Sequence, residues 1–450
     1  MATILNCDFH YETHKIRVSK LINDNCSKIG EQAVNDSDSE RIEKLQKYGN
    51  ELRAKFGNNI LSEYAIEIIH GARENDELAE NVRKCWIIDS LKHPEEAAVL
   101  NEVYGDCFWL IAVFAPEDVR LKRLKDLHSN LSYIEQIKKT DFDEGSDVGQ
   151  SVKDVLPYAD MFIRNDKFNK VSLEASVRRF LDLIFGIGIN TPTRHESAML
   201  AAEAQSARSA CLSRRVGAII ISAEGEQIGQ GCNDVPKYHG GIYESEPHVD
   251  DNRCYNWVGQ ICHNDKHKEI IYDQIEKIVN AEKLDEFRKL ISRTDIKNLI
   301  EFSRAVHAEM EAILSVARAG KSGLIGSSLY STTFPCHSCA RHIVASGVSH
   351  VFYIEAYPKS LALDLHHDTI STLEADEGKK VLFLQYEGAS PKGYNRVFSI
   401  KSERKKAGKL IHLERATARP MRAPPIDGLA TREKLAMARF KRLEEGGPSD

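Results

Sequence analysis

Four side chains in the second half of the chain have the types and spacing of a water-activating metal site. Cys336 and Cys339 stand at C-x-x-C spacing in Pro335-Cys336-His337-Ser338-Cys339, and His307 opens His307-Ala308-Glu309-Met310. Zinc favours Cys sulfur and His nitrogen in tetrahedral geometry, and a catalytic zinc keeps one position for water. One His and two Cys leave that position open. Two cysteines three apart at a helix start can turn both sulfurs to one ion, and a helix N-terminus favours thiolate. Glu309, two residues past His307, suits proton transfer rather than ligation. The competing reading is a closed structural zinc knuckle. It needs a fourth Cys or His, and none fits as well as Glu309 fits as an acid–base group.

Such a site needs two helix starts brought to one place by strands. The pattern predicts a helix over 307–318, a strand over 328–332, a helix over 339–346 and a strand over 350–354. The 29 residues from His307 to Cys336 are enough for helix, turn and strand. Upstream, a helix is expected over about 193–212, then a hairpin of 216–222 with 227–231 around Ala-Glu-Gly-Glu. A long polar insertion, 234–295, holds His239, His248, Cys254, Cys262, His263 and His267. Cys254, Cys262 and His263 are spaced like ligands and form a candidate second, structural metal site. The alternative is a surface loop with incidental Cys and His.

The first 170 residues alternate short apolar runs (84–89, 109–115, 159–164) with helical stretches such as 41–56 and 115–136. That alternation predicts a parallel α/β sheet. An acidic stretch, 140–152, reads as a loop, and 171–192, punctuated by Gly186, Gly188 and Pro192, as a linker. No G-x-x-x-x-G-K-[ST] motif exists, and the first glycine is Gly30. ATP or GTP hydrolysis is therefore not expected. Asp89 reads as a capping residue at a strand–helix turn rather than a Mg²⁺ ligand. The stretch 401–450 carries 13 Lys and Arg against 7 Asp and Glu, a basic C-terminal tail.

Over 450 residues, 42% are hydrophobic and 28% charged, a balance that fits two globular domains. A net charge of −6 gives no globally basic nucleic-acid coat. No signal-peptide layout and no membrane-length apolar run is present, so the expected compartment is the cytoplasm. Ten cysteines are too few for a disulfide scaffold.

His-x-Glu followed by Pro-Cys-x-x-Cys is the signature of zinc nucleobase deaminases. The stretch 193–398 resembles the dCMP deaminase family through Arg215-Val216-Gly217-Ala218-Ile219, Gly231-Cys232-Asn233, His307-Ala308-Glu309-Met310, Tyr330-Ser331-Thr332 and the Pro-Cys-x-x-Cys segment. The resemblance implies a five-stranded mixed sheet between helices, a cytidine-deaminase-like α/β/α domain over 193–400. It also implies a zinc ion on His307, Cys336 and Cys339, catalysis by Glu309, and Asn233 on the sugar hydroxyl. Arg214, Arg215 and Lys359 are candidate phosphate contacts, and Phe334 a neighbour of the base. Glu311 stands where the family usually has Asn, and a carboxylate there repels a nearby phosphate unless a cation intervenes.

The whole chain is similar to bacterial two-domain antiphage dCTP deaminases. The carrying pieces are Gly49-Asn50-Glu51-Leu52-Arg53, Ile88-Asp89-Ser90-Leu91-Lys92-His93-Pro94, Tyr357-Pro358-Lys359-Ser360, Asp364-Leu365-His366 and Pro391-Lys392-Gly393-Tyr394. That resemblance implies a P-loop-kinase-like N-terminal domain over 1–170, here degenerate or truncated because its P-loop is missing. It also implies a dCTP or dCMP substrate, a homo-oligomer, and restraint by a small RNA or protein inhibitor. A nucleic-acid editing deaminase acting on tRNA or single-stranded DNA is the alternative. The 73 residues between Asn233 and His307 stand against it. A non-catalytic scaffold would need Glu309 lost.

Overall fold

The computed structural model describes residues 1–35, 40–74, 83–127, 151–166, 170–246, 250–277, 290, 301–357, 359–399, 403–422 and 426–444. The expected loop at 140–150 and the end of the helix expected to reach 136 lie outside them. The chain divides into two compact units, 1–192 with 387–450, and 193–386. Both are mixed α/β, as expected.

In the first unit, β1 (Glu12–Arg17) pairs in parallel with β2 (Lys84–Asp89), and β3 (Ile111–Phe114) pairs in parallel with β4 (Met161–Arg164). A short strand, Gly388–Ala389, adds antiparallel to β4. β1 was not expected, because ETHKIR buries only Ile16 and reads as polar. It runs straight into the helix Val18–Asn25 with Arg17 as N-cap, so no phosphate-cradling loop intervenes there. At the end of β2, His93, not Asp89, caps the next helix. The His93 ring accepts from the Glu95 amide while Glu96 reaches back to the His93 amide, and Pro94 occupies the first helical position. Asp89 is four residues too early to cap, and it pairs with Lys15 at 2.9 Å.

The basic tail is not a free appendage. Its helix Ile426–Glu444 buries Leu429, Ala436 and Phe440 in the core formed by the helices Ile60–Glu74 and Pro94–Tyr104. Arg439 pairs with Glu63 at 3.1 Å and Glu102 at 3.5 Å. The same core holds a fully buried Arg53–Glu96 pair, its guanidinium donating twice to one carboxylate oxygen at 2.8 and 3.1 Å.

The second unit carries one sheet with β6 (Gln227–Cys232) at one edge. Next come β5 (Gly217–Ile221), β7 (Ser328–Thr333), β8 (His350–Glu355), β10 (Val381–Gln385) and β9 (Ile370–Ser371). β5 is antiparallel to both neighbours, and β7, β8, β10 and β9 run parallel. Five full strands match the expectation, and the two-residue β9 makes a sixth. Every residue of β5 is buried, as in a strand covered on both faces.

Glycines set how closely those covers approach. A Cβ on Gly217 would lie 2.0 Å from the Ala202 carbonyl oxygen, in the helix Arg194–Ser206. One on Gly231 would lie 2.5 Å from the Ala308 carbonyl oxygen, in the helix Ala308–Arg318. Gly231 pairs with Ala218, the neighbour of Gly217 in β5, so the two helices cover opposite faces. The first helix starts at a capping box: Glu196 N–H donates to Thr193 Oγ1 at 3.1 Å, and Thr193 N–H to Glu196 Oε2 at 2.7 Å.

Candidate metal centre and active site

Both helix starts arrive at one place. His307 is the N-cap of Ala308–Arg318, and Cys336 is the N-cap of His337–Ser346. Cys339 sits in the first turn of the second helix, so both sulfurs lie at its N-terminal end, and the Cys339 amide donates to Cys336 Sγ at 3.4 Å. His307 Nδ1 is 3.4 Å from Cys336 Sγ and 3.3 Å from Cys339 Sγ. Among the described residues this is the one group of His, Cys, Asp or Glu whose ligand atoms all lie within 4.8 Å of one another. Two soft sulfurs and one imidazole nitrogen fit zinc and leave a fourth tetrahedral position free of protein.

Glu309 is buried beside the cluster, its Oε2 3.4 Å from Cys339 Sγ and its Oε1 3.4 Å from the Ser331 hydroxyl on β7. Burial raises its carboxyl above the usual range. The Cys339 thiol and then His307 draw Cys336 down to about 4, while Cys339 is pushed well up by the same hydrogen bond and by burial. The neighbouring Cys336 in turn raises His307.

The other residues singled out in the sequence are placed less directly. Asn233 is buried, with Oδ1 accepting from the Val216 amide at 2.7 Å and Nδ2 donating to the Arg214 carbonyl at 2.6 Å. It fixes the turn at the β5 entrance and keeps one donor and one lone pair for other use. Phe334 is a core side chain, edge-on to Tyr353 and Phe383 at ring distances of 4.9 and 5.5 Å. Arg214 pairs with Glu355 at 3.2 Å, Arg215 donates to the Ser206 carbonyl at 3.3 Å, and Lys359 is exposed in a turn. Glu311 is buried and paired with Arg318, so a cation does stand beside it.

In the insertion, Cys254, Cys262 and His263 line one small cavity but are not gathered to ligand distance. Cys211, at the end of the upstream segment, lines the same cavity. No sequence signal pointed to it, because it stands 43 residues before Cys254. His248 lies outside the described residues. The described part of the insertion is fastened by ion pairs. Arg253, 2% exposed, grips Asp251 at 2.6 Å and approaches Asp234 at 3.6 Å. Its hydrogen bonds hold the Asp251 carboxyl far below the usual range.

Residues 192–355 match the family model of the cytidine and deoxycytidylate deaminase zinc-binding region. The deoxycytidylate deaminase of Enterobacteria phage T2 is 31% identical over 158 residues, 34% of this chain and 76% of the phage protein. That of Enterobacteria phage T4 is 30% identical over 158 residues, 34% of this chain and 74% of the phage protein. A solved dCMP deaminase from cyanophage S-TIM5 aligns at 20% identity over 44% of this chain and 99% of its own, with a TM-score of 0.25. With its His/Cys/Cys cluster in the matched region and relatives at least 30% identical covered over about three quarters of their length, the chain belongs to the cytidine and deoxycytidylate deaminase family.

Proposed function

We propose that this chain hydrolyses the exocyclic amine of deoxycytidine nucleotides, giving the deoxyuridine nucleotide and ammonia, with dCTP narrowly preferred over dCMP. The observation that carries the reading is the His307–Cys336–Cys339 cluster with Glu309 buried against it. Those three residues would hold zinc. When bound, the ion supplies the Lewis acidity that lets water ionise near neutral pH. Glu309 takes a proton from the attacking water and gives one to N3 of the cytosine ring. The carboxylate then takes the second water proton from the new C4 hydroxyl and delivers it to the amine as the C4–N bond breaks and the C4 carbonyl forms. Ser331 orients Glu309 through its hydroxyl. Asn233 offers its spare donor and lone pair to the sugar, and Arg214, Arg215 and Lys359 are the cations nearest in sequence for phosphates.

The dCTP preference draws on the resemblance of the whole chain to antiphage dCTP deaminases and on Glu311 in place of Asn. We propose further that the enzyme works in the cytoplasm as a homo-oligomer and depletes nucleotides during phage infection under a small RNA or protein inhibitor. The test is the initial rate of ammonia release with dCTP, dCMP, CTP and deoxycytidine side by side. The order expected is dCTP, then dCMP, then the other two. If free deoxycytidine is the best substrate the phosphate assignments fail, and if only a tRNA or single-stranded DNA is deaminated the nucleotide reading fails.

A second, structural zinc on Cys211, Cys254, Cys262 and His263 completes the proposal, supported by the cavity these four line. Metal analysis of active protein is expected to return two zinc ions per chain, falling to one in Cys254→Ala. A single zinc in the active wild-type protein would remove the second site.

A further inference from the structure

Seventy-three residues separate Asn233 from His307, yet the chain brings their neighbours together. The Val306 amide donates to the Asp234 carbonyl at 3.0 Å, in an isolated antiparallel bridge. Asp234 does more than close that loop. Its side chain is buried. Oδ1 accepts from the Val235 amide at 2.8 Å, a bond within its own turn. Oδ2 reaches back to the Ala210 amide at 2.9 Å. Beside it, the Ser209 hydroxyl donates to the Asn233 carbonyl at 2.6 Å. Residues 209–210 are therefore bonded to both Asn233 and Asp234. A turn alone needs only the Val235 bond, so the reach to Ala210 has another consequence: it fixes where the segment carrying Asn233 lies.

The insertion supplies the cation for this buried carboxylate. Arg253 Nη1 stands 3.6 Å from Asp234 Oδ2. The rest of its guanidinium is already committed, Nε to Asp251 at 2.9 Å and Nη2 to Asp251 at 2.6 Å and to the Ser245 hydroxyl at 2.8 Å. Arg253 is thus held in place independently of Asp234. A buried charge is tolerated where both a counter-charge and hydrogen bonds meet it, and Asp234 has both.

What Asp234 fixes is a span. Deamination needs cytosine C4 at the metal ligands while the sugar stays at Asn233. The main chain of Asp234 holds Val306, the residue before His307, and its carboxylate holds the segment bonded to Asn233. A misplacement on the order of 1 Å can cost about 10²-fold in rate. We infer that Asp234 is a positioning residue that sets the span between Asn233 on the sugar side and His307 on the metal side, with Arg253 of the insertion holding Asp234. The inference deepens the proposed function and rests on its assignment of Asn233 to the sugar.

A 5′-phosphorylated deoxycytidine has one free sugar hydroxyl, at C3′, and the 2′,3′-dideoxy nucleotide lacks it. The test measures kcat/KM of the full chain on dCTP against 2′,3′-dideoxy-CTP, and on dCMP against 2′,3′-dideoxy-CMP. Wild type should favour the 3′-hydroxyl by about tenfold or more, because a site built to bond a hydroxyl rejects the analogue without it. Asp234→Asn keeps the size and removes the charge. It should cut that ratio by about threefold or more at wild-type metal content, and leave it unchanged in an Asn233→Ala background. Arg253→Lys keeps the charge without the two-pronged grip. It should move the ratio the same way, and it carries the test if Asp234→Asn does not fold. Parallel losses on both members of each pair, with the ratio unmoved, would mean that Asp234 only supports the fold, and would overturn the inference. An unmoved ratio in Asp234→Asn where Asn233→Ala abolishes it overturns the inference alone. An unmoved ratio in Asn233→Ala brings down the sugar assignment and the inference with it.

Discussion

Glu309→Ala is expected to keep its zinc and lose about 10²- to 10⁴-fold in kcat, the usual contribution of a positioned acid–base group. Glu309 is not needed to complete the metal-ligand set, since His307, Cys336 and Cys339 already supply three donors within 4.8 Å. Its two oxygens instead face Ser331 and Cys339. Removing the carboxyl leaves the attacking water without a proton acceptor, and N3 and the departing amine without a donor. Glu309→Gln is the sharper version, because it keeps volume and both hydrogen-bond neighbours while losing the exchangeable proton. Both variants should show wild-type zinc by metal analysis and near-wild-type nucleotide affinity by equilibrium titration. Near-normal turnover in either would remove Glu309 from the mechanism. Loss of zinc in Glu309→Gln would instead make it a ligand. Ser331→Ala should fall between wild type and Glu309→Gln, since it frees the carboxylate to turn without deleting it.

Much of this site was legible because its residues are chemically specialised and lie at helix starts. His307 and Cys336 are both N-caps, a position that sequence spacing locates to within a residue or two. β5 was legible through its run of Ile219, Ile220 and Ile221 between turn signals. What sequence spacing missed were partnerships across long intervals. The helix 426–444 read only as part of a basic C-terminal tail because its apolar stripe is thin. Leu429, Ala436 and Phe440 find their core only against helices more than 300 residues earlier. Cys211 carried no signal alone, since its neighbours Cys254 and Cys262 come from the insertion. Glu311 read as an unpaired negative charge, yet Arg318 lies seven residues on, two turns along the same face. Asn233 was expected on the sugar hydroxyl, and its side chain also fixes a turn. Its two bonds to the β5 entrance hold that turn and leave capacity for the sugar.

Cys336→Ser should destabilise the zinc-loaded protein more than the zinc-free one. In the metal-free chain Cys336 serves as the N-cap of His337–Ser346, its sulfur accepting from the Cys339 amide at 3.4 Å. Serine is among the best N-cap residues, and its oxygen makes a shorter, stronger bond to that amide than sulfur does. On capping alone the substitution is neutral or slightly favourable. Ligation pulls the other way. A serine hydroxyl is a harder donor that does not ionise near neutral pH, so it replaces the thiolate poorly. Any ligand that binds only the folded chain stabilises it by about 2.7 kcal/mol at a hundred times its dissociation constant. Losing that contribution lowers Tm by about 5–10 °C for a unit of this size. Thermal unfolding followed with and without a chelator separates the two effects. Wild-type Tm should fall on chelation, while Cys336→Ser should start low and hardly move. Equal Tm for the loaded proteins would show that Cys336 is not a ligand.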